Sequence, residues 1–344
     1  MTKFAGRMAA SALAIAGIAA AAWPALAQAQ AKAPVKMVAI SQSNEGGFPL
    51  WLAKKMNYFA NNGVDVTIKY FPNGGAALAS GAAGDWQGGW IGSPPAITGW
   101  AKFGLTPVGT MMKEDRNIKL IIRKDALKGS SPAQVLSTGK IGSVPNSTWS
   151  QVLFACAKHF KVDPTKMKVV PLEPPVTRQS LRSGEVVAGT TDSSPDIDLV
   201  NDKANFEVAC DGAVAGTSVI DPWIVTRKFA AENPAAAAAF VEAGFRANEL
   251  IMKDREKAVG LLLEYYKEAG IDGDEKKARY TLGYRDYQTL DQALADARDG
   301  ATARALTETA QVFVAGGAYD KVPDLKGAVS AGLPILEAAK KLRK

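Results

Sequence analysis

Val35-Lys36-Met37-Val38-Ala39-Ile40-Ser41-Gln42-Ser43-Asn44-Glu45-Gly46-Gly47-Phe48-Pro49 reads as an apolar strand over 35–40, a small polar joint, and the start of a helix over 49–62. Asn61-Asn62-Gly63 closes that helix. The same grammar returns twice. Val64, Val66, Ile68 and Tyr70 alternate through a strand over 64–71 that meets Pro72-Asn73-Gly74-Gly75, and a strand over 87–91 meets Gly92-Ser93-Pro94-Pro95 ahead of a helix over 95–103. Strands alternating with helices predict a parallel α/β sheet. Joints of this kind lie at the carboxyl edge of such a sheet, where ligands bind. Helix starts there present unpaired N–H groups and a positive dipole end, which suits an anion.

Strands over 107–112 and 119–123 follow, and near 124–132 the pattern begins again. Strands over 140–144, 168–171 and 186–189 alternate with helices over 149–160 and 176–182. Their joints are Pro145-Asn146-Ser147-Thr148 and Asp192-Ser193-Ser194-Pro195. A last apolar strand over 218–226 precedes helical patterns at 234–253, 257–269 and 301–314. One α/β unit, a second, a return strand and a helical tail predict two lobes joined by crossings near 112–117 and 212–221. A cleft between such lobes closes on a ligand by hinge motion.

The first residues predict a secretory leader: Lys3 and Arg7 are its basic region, Met8 to Ala22 its apolar stretch, and Ala25-Leu26-Ala27 its cleavage site. The run is shorter than the roughly 20 residues that span a bilayer. Cleavage after Ala27 would leave residues 28–344 free in the periplasm of a Gram-negative cell, with no cysteine nearby for a lipid anchor. The net charge of +7 is scattered, without the basic stripe and interleaved aromatics of a nucleic-acid binder. Cys156 and Cys210 are the two cysteines. An oxidising compartment permits their pairing, while the apolar stripe of Val152, Leu153, Cys156 and Phe160 favours a buried thiol.

Phe48-Pro49-Leu50-Trp51-Leu52-Ala53-Lys54-Lys55-Met56-Asn57-Tyr58-Phe59 resembles the P-x-x-x-A-x-x-x-G-Y-F opening of periplasmic substrate-binding proteins for nitrate, sulfonate and taurine uptake, with Asn57 in place of the usual glycine. Gly89-Trp90-Ile91-Gly92-Ser93-Pro94-Pro95-Ala96 resembles their third strand-to-helix joint. Leu181-Arg182-Ser183-Gly184-Glu185-Val186 resembles their L-x-x-G-x-V/I-D segment, with Val187 replacing the aspartate. Leu172-Glu173-Pro174-Pro175, Ile220-Asp221-Pro222-Trp223 and Thr309-Ala310-Gln311-Val312-Phe313 look closest to the taurine-binding branch. The resemblance implies an α/β, two-lobed periplasmic binding protein fold of type II. Each lobe would be a mostly parallel sheet flanked by helices, with a helical C-terminal tail. The expected division is 1–27 as leader, 28–115 with 218–344 as lobe I, and 116–217 as lobe II. The implied role is delivery of a small organic anion or zwitterion, taurine foremost, to an ABC permease in the inner membrane. A monomer without cofactor, metal or nucleic-acid partner is expected.

Each candidate contact has a plainer alternative. Ser93 and the backbone N–H of Ala96 suit an anion, or Ser93 simply caps its helix. Asn73, Gly74 and Gly75 let a ligand approach closely, or form an ordinary turn. Ser147 and Thr148 repeat that ambiguity in the second unit, and Asp192 occupies its last joint. Ser43, Asn44 and Glu45 fill the first joint, and the resemblance places Glu45 where taurine-type relatives carry an acid. Glu45 and Asp221 would together hold an ammonium, with the anionic end at the helix starts, or Glu45 is a solvated acid and Asp221 part of a structural ion pair. Of Trp51, Trp90, Trp149 and Trp223, one or two are expected to face the cleft, Trp149 being best placed. Arg178 suits a bidentate grip on sulfonate. Nitrate, aromatic acids and thiamine-precursor chemistry are the alternatives. The last would need histidines or a metal site, and His159 is the single imidazole. No G-x-S-x-G, H-E-x-x-H, P-loop lysine or G-x-G-x-x-G after the first strand is present.

Overall fold

The structure is a computed structural model that describes residues 33–81, 84–192 and 197–343. The expected leader and the Ser193-Ser194-Pro195 half of the fifth joint lie outside those residues. The first half of the chain contains β1 (Val35–Gln42), α1 (Phe48–Lys55), α2 (Tyr58–Asn61), β2 (Val64–Phe71), α3 (Gly74–Ser80), β3 (Gly88–Trp90), α4 (Ser93–Lys102), β4 (Leu105–Lys113), β5 (Ile118–Arg123), α5 (Pro132–Thr138), β6 (Lys140–Ser143), α6 (Thr148–His159) and β7 (Lys168–Pro171). Next come α7 (Pro174–Ser183), β8 (Ala188–Asp192), α8 (Ile197–Asn201), β9 (Phe206–Asp211), α9 (Gly212–Ala215), β10 (Ile220–Thr226), α10 (Arg227–Glu232) and α11 (Pro234–Lys253). The tail is α12 (Arg255–Ala269), α13 (Glu275–Tyr284), β11 (Asp286–Tyr287), α14 (Leu290–Arg298), α15 (Ala301–Ala315) and α16 (Leu325–Lys341).

These strands form two sheets, ordered β11-β4-β10-β3-β1-β2 and β7-β6-β8-β5-β9. Strand directions show the kinship of the two. β2, β1, β3 and β4 point one way and β10 and β11 the other; β7, β6, β8 and β9 point one way and β5 the other. In each sheet the long reversed strand, β10 or β5, is the one that has just crossed from the other sheet, and β11 is a two-residue addition on the edge of the first. The crossings are residues 114–117 and 212–219, and they are bonded together: Glu114 N–H donates to the Val219 carbonyl at 2.8 Å, and Val219 N–H to Asp115 Oδ1 at 2.7 Å.

Local chemistry explains several boundaries. The helix expected over 49–62 breaks into α1 and α2 because Asn57 adopts a left-handed conformation, φ 57°. Asparagine tolerates that region better than other side-chain-bearing residues, which accounts for its standing where relatives have glycine. Gly89, φ 143°, has no substitute: a Cβ there would strike the Ile40 carbonyl oxygen. A Ser147–Ser150 capping box starts α6, and left-handed Gly184 ends α7. β8 runs to Asp192, three residues beyond the expected strand, so Asp192 ends a strand at the sheet edge.

Around the first sheet the core contains Phe48, Trp223, Phe240, Phe245 and Tyr265, all fully buried. A second core joins β5, β6 and α6 through Ile118, Leu120, Ile141, Val152 and Leu153. The favoured reading of Cys156 is corrected there: it is disulfide-bonded to Cys210, pinning α6 to the end of β9. The tail ties the two sheets together. Phe313 packs edge-on against Phe154 at 5.6 Å between centroids, and Tyr319 Oη bonds Pro94 O at 2.7 Å and Asn146 Oδ1 at 3.0 Å.

Candidate functional site

The carboxyl ends of β1, β3, β4 and β8, the start of α6 and the entry of β10 converge between the sheets. They enclose a small inner chamber of about 20 Å³ lined by Gln42, Asn44, Gly46, Trp90, Glu114, Thr148, Trp149, Asp192, Asp221 and Arg285. That is room for about one water-sized group. An outer chamber of about 390 Å³ shares Asn44, Trp149 and Asp192 with it and adds Ser43, Glu45, Arg178 and Lys277 among its walls.

The inner walls are acidic. Glu114, Asp192 and Asp221 are each 5% exposed or less, against the single guanidinium of Arg285. Arg285 Nε donates to Glu114 Oε1 at 2.6 Å. Asn117 Nδ2 donates to Asp192 Oδ1 at 3.1 Å and to Glu114 Oε1 at 3.4 Å. Burial and then the Glu114 charge hold the Asp221 carboxyl well above its ordinary value, with Arg285 opposing. In its protonated form Asp221 donates to Glu114. Burial pulls the Arg285 guanidinium downward, but the charges of Glu114, Glu45 and Asp192 outweigh it, and the net shift is upward. Tyr287, beside this cluster, is pushed up to about 12 by burial.

The aromatic and amide walls are positioned by their own bonds. Trp90 Nε1 donates to Ser41 Oγ at 3.0 Å, and its ring fills the space that a Cβ on Gly46 would take. Tyr265 Oη bonds the Asn44 carbonyl at 2.7 Å, and Asn44 Oδ1 accepts from Gly46 N–H at 3.0 Å. Trp149 is 5% exposed, and its indole N–H has no partner among the described residues. Buried donors without an acceptor are uncommon and costly.

Ser43, Asn44, Glu45, Thr148, Trp149, Asp192 and Asp221 therefore line one chamber or both. The expected anion grip at the other helix starts is corrected. Ser93 and Ala96 are wholly buried; Ser93 Oγ donates to Gln151 Oε1 at 2.9 Å and Ala96 N–H to the Gly92 carbonyl at 3.0 Å. Asn73 is also committed: Oδ1 caps α3 at Ala76 N–H, and Nδ2 donates to Glu173 Oε1 at 2.8 Å. Gly74 and Gly75 lie outside both chambers, Gly74 against Pro95. Ser147 caps α6 and donates to Val144 O. Asp221 itself occupies the space beside Gly92 and Thr148, so the starts of α4 and α6 face an internal carboxyl. Trp51 bonds Glu268, and Trp223 packs against Phe240 and Phe245, leaving Trp90 and Trp149 as the cleft tryptophans. Arg285, Glu114 and Asn117 were not among the expected residues, and no local pattern marks them.

Comparison with known proteins agrees with this architecture. A family model described as NMT1/THI5 like matches residues 44–258. The taurine-binding periplasmic protein of Escherichia coli K12 is 27% identical over 225 residues, 64% of this chain and 67% of that protein. The alkanesulfonate-binding protein SsuA from Xanthomonas axonopodis pv. citri, solved with MOPS, superposes with a TM-score of 0.69 at 17% identity, covering 87% of this chain and 99% of that one. The nitrate-binding protein NrtA from Synechocystis PCC 6803 superposes at 0.70 with 13% identity, covering 90% and 89%. The chain belongs to the NMT1/THI5-like family and has the two-lobed periplasmic binding protein fold.

Proposed function

We propose that the protein is the periplasmic solute-binding component of an ABC importer, and that it captures a small amine-bearing sulfonate of the taurine type. Residues 28–115 with 218–344 would form one lobe and 116–217 the other, closing over the solute before docking on the permease. One observation carries the reading: a chamber the size of an ammonium, walled by Glu114, Asp192 and Asp221 against one arginine. Buried carboxylates without a counter-charge are expensive. An ammonium supplies that charge, and Trp90 and Trp149 supply aromatic faces for it. A sulfonate is too large for this space. In this reading the ammonium enters first and the sulfonate meets the Trp149 indole N–H and the Asn44 side-chain amide at the neck.

The relatives support the direction: one is named for taurine and another for alkanesulfonates. Nitrate has no group for the acidic chamber. We take the protein as a binder rather than a catalyst. Its one imidazole, His159, is exposed at the far end of α6, roughly 16 Å along the helix from Thr148.

Thermal-shift and calorimetric titration with taurine, ethanesulfonate and ethylamine test this. Taurine at 100 times its Kd stabilises by about 2.7 kcal/mol. Ethanesulfonate binds far more weakly, and Asp221→Asn removes most of the difference. Equal affinity for taurine and ethanesulfonate refutes the ammonium-first reading.

A further inference from the structure

The charges around the cleft do not balance. In the inner chamber three acids face one guanidinium, and the outer chamber, about 390 Å³ in volume, adds Glu45, Glu173 and Asp272 against Arg178 and Lys277. Both of those cations are already engaged: Lys277 Nζ lies 3.8 Å from Asp272 Oδ2, and Arg178 has a partner of its own. Glu173 accepts from the Asn73 amide, which carries no charge. Glu45 stands apart from the others. It is 3% exposed and lines the outer chamber, yet among the described residues its carboxylate makes no hydrogen bond and no ion pair. Arg285 and Tyr265 feel its charge without bonding it. A carboxylate so buried is costly until a cation reaches it. Apolar surface joins the two acidic places: Pro72, Pro174, Pro175 and Ile271 wall the outer chamber, which meets the inner one at Asn44, Trp149 and Asp192.

A two-carbon amino sulfonate ends at that neck. A solute long enough to pass it enters a space whose unmatched charge is negative, so a cation suits its far end. We propose that the cleft takes a second class of solute, linear α,ω-diamines, with one ammonium in the inner chamber, the methylenes along the prolines and Ile271, and the other ammonium on Glu45. This rests on the ammonium-first reading, and adds to it a second cation position.

The test is titration calorimetry on the protein with α,ω-diamines of two to six methylenes, n-alkylamines of equal length, and the matching ω-amino sulfonates. Once the chain clears the neck, a diamine binds about ten- to hundredfold tighter than the alkylamine of the same length, the gain expected of a hydrogen bond to a charged group. It also binds tighter than the ω-amino sulfonate of that length. Glu45→Gln brings the ratio of diamine to alkylamine affinity close to one, and circular dichroism confirms that the variant is folded. The comparison among solutes on the unaltered protein needs no variant. Diamines no tighter than alkylamines at any length, long ω-amino sulfonates tighter than diamines, or an excess that survives Glu45→Gln each overturn the second cation position, while binding of taurine or the alkylamines leaves the ammonium-first reading standing. If neither taurine nor any amine binds, both fall together.

Discussion

Arg285 and Glu114, 171 positions apart in the chain, meet at 2.6 Å with their side chains 2% and 7% exposed. Glu114 begins the first crossing between the sheets, and Arg285 follows α13 in the helical tail. The pair therefore brings the tail's charge to the crossing and into the wall of the inner chamber. Breaking such a pair from one side leaves an uncompensated buried charge.

Arg285→Met strands Glu114 beside Asp192 and Asp221 and is expected to destabilise the protein by about 3–5 kcal/mol. Glu114→Gln keeps an acceptor for Arg285 Nε and relieves acid–acid repulsion, so its loss is smaller. Urea unfolding of the two variants measures this. Equal losses, or a loss under about 1 kcal/mol for Arg285→Met, contradict a pairing role.

Asp221 makes stability and binding depend on pH in opposite senses. Its folded pKa lies above the ordinary 3.8, through burial first and the Glu114 charge second. The folded protein keeps a proton that the unfolded chain releases, so stability falls as pH rises from the ordinary carboxylate value through the raised one. An ammonium prefers the ionised carboxylate, so solute capture expels that proton and strengthens over the same rise. Asp221→Asn flattens the Tm–pH profile, and it abolishes the buffer-dependent part of the binding heat measured in two buffers of different ionisation enthalpy. Superimposable Tm–pH profiles for the variant and the parent assign the titration elsewhere.

The sheets were legible wherever a strand has one buried face. Val64 and Val66 are buried while Asp65 and Thr67 are exposed, and the alternation places β2 at its observed bounds. β9 was missed because it pairs only with β5 and leaves Val208 exposed, so its pattern is blurred. That omission hid the disulfide as well: nothing local brings Cys210 within a 6.0 Å Cα separation of Cys156 until β9 lies beside α6. At the site, Glu45, Asp192 and Asp221 sit at sheet-edge joints and could be read there. Arg285 could not, because its role exists only through contact with a residue from another part of the chain. Helix starts were overread: Ser93, Asn73 and Ser147 have the residue types of an anion grip, but their side chains are spent on Gln151, Glu173 and Val144.

Asn73 and Glu173 join the two sheets' joints across the mouth of the cleft, one from the start of α3 and one from the start of α7. Glu173→Ala removes this clasp while leaving the Asn73 cap on Ala76 intact. A hydrogen bond of this kind contributes about 0.5–1.5 kcal/mol to the closed state, so Kd rises about two- to tenfold. In the closing reading the clasp holds the two sheets' joints together over the bound solute, so the change is expected in koff. Stopped-flow release of taurine measures it, and an unchanged koff with a slower kon contradicts a closing role.

The Cys156–Cys210 bond closes a loop with a sequence separation of 54 residues in the second sheet's core. Loop-closure entropy gives such a cross-link about 4 kcal/mol of stabilisation. Its position matters to the site too, because Cys156 lies on α6, whose first residues Thr148 and Trp149 wall the inner chamber. The neighbouring Asp211 carboxylate is held by Lys119 Nζ at 2.6 Å, and this keeps the end of β9 anchored after the disulfide is lost. The Cys156→Ala/Cys210→Ala protein is therefore expected to remain folded at 25 °C with a lower urea midpoint. Its affinity for taurine falls less than its stability, because Trp149 is also packed by the surrounding core. Urea unfolding and calorimetry on the same preparation separate the two effects, and a greater loss of affinity than of stability would mean that the disulfide positions Trp149.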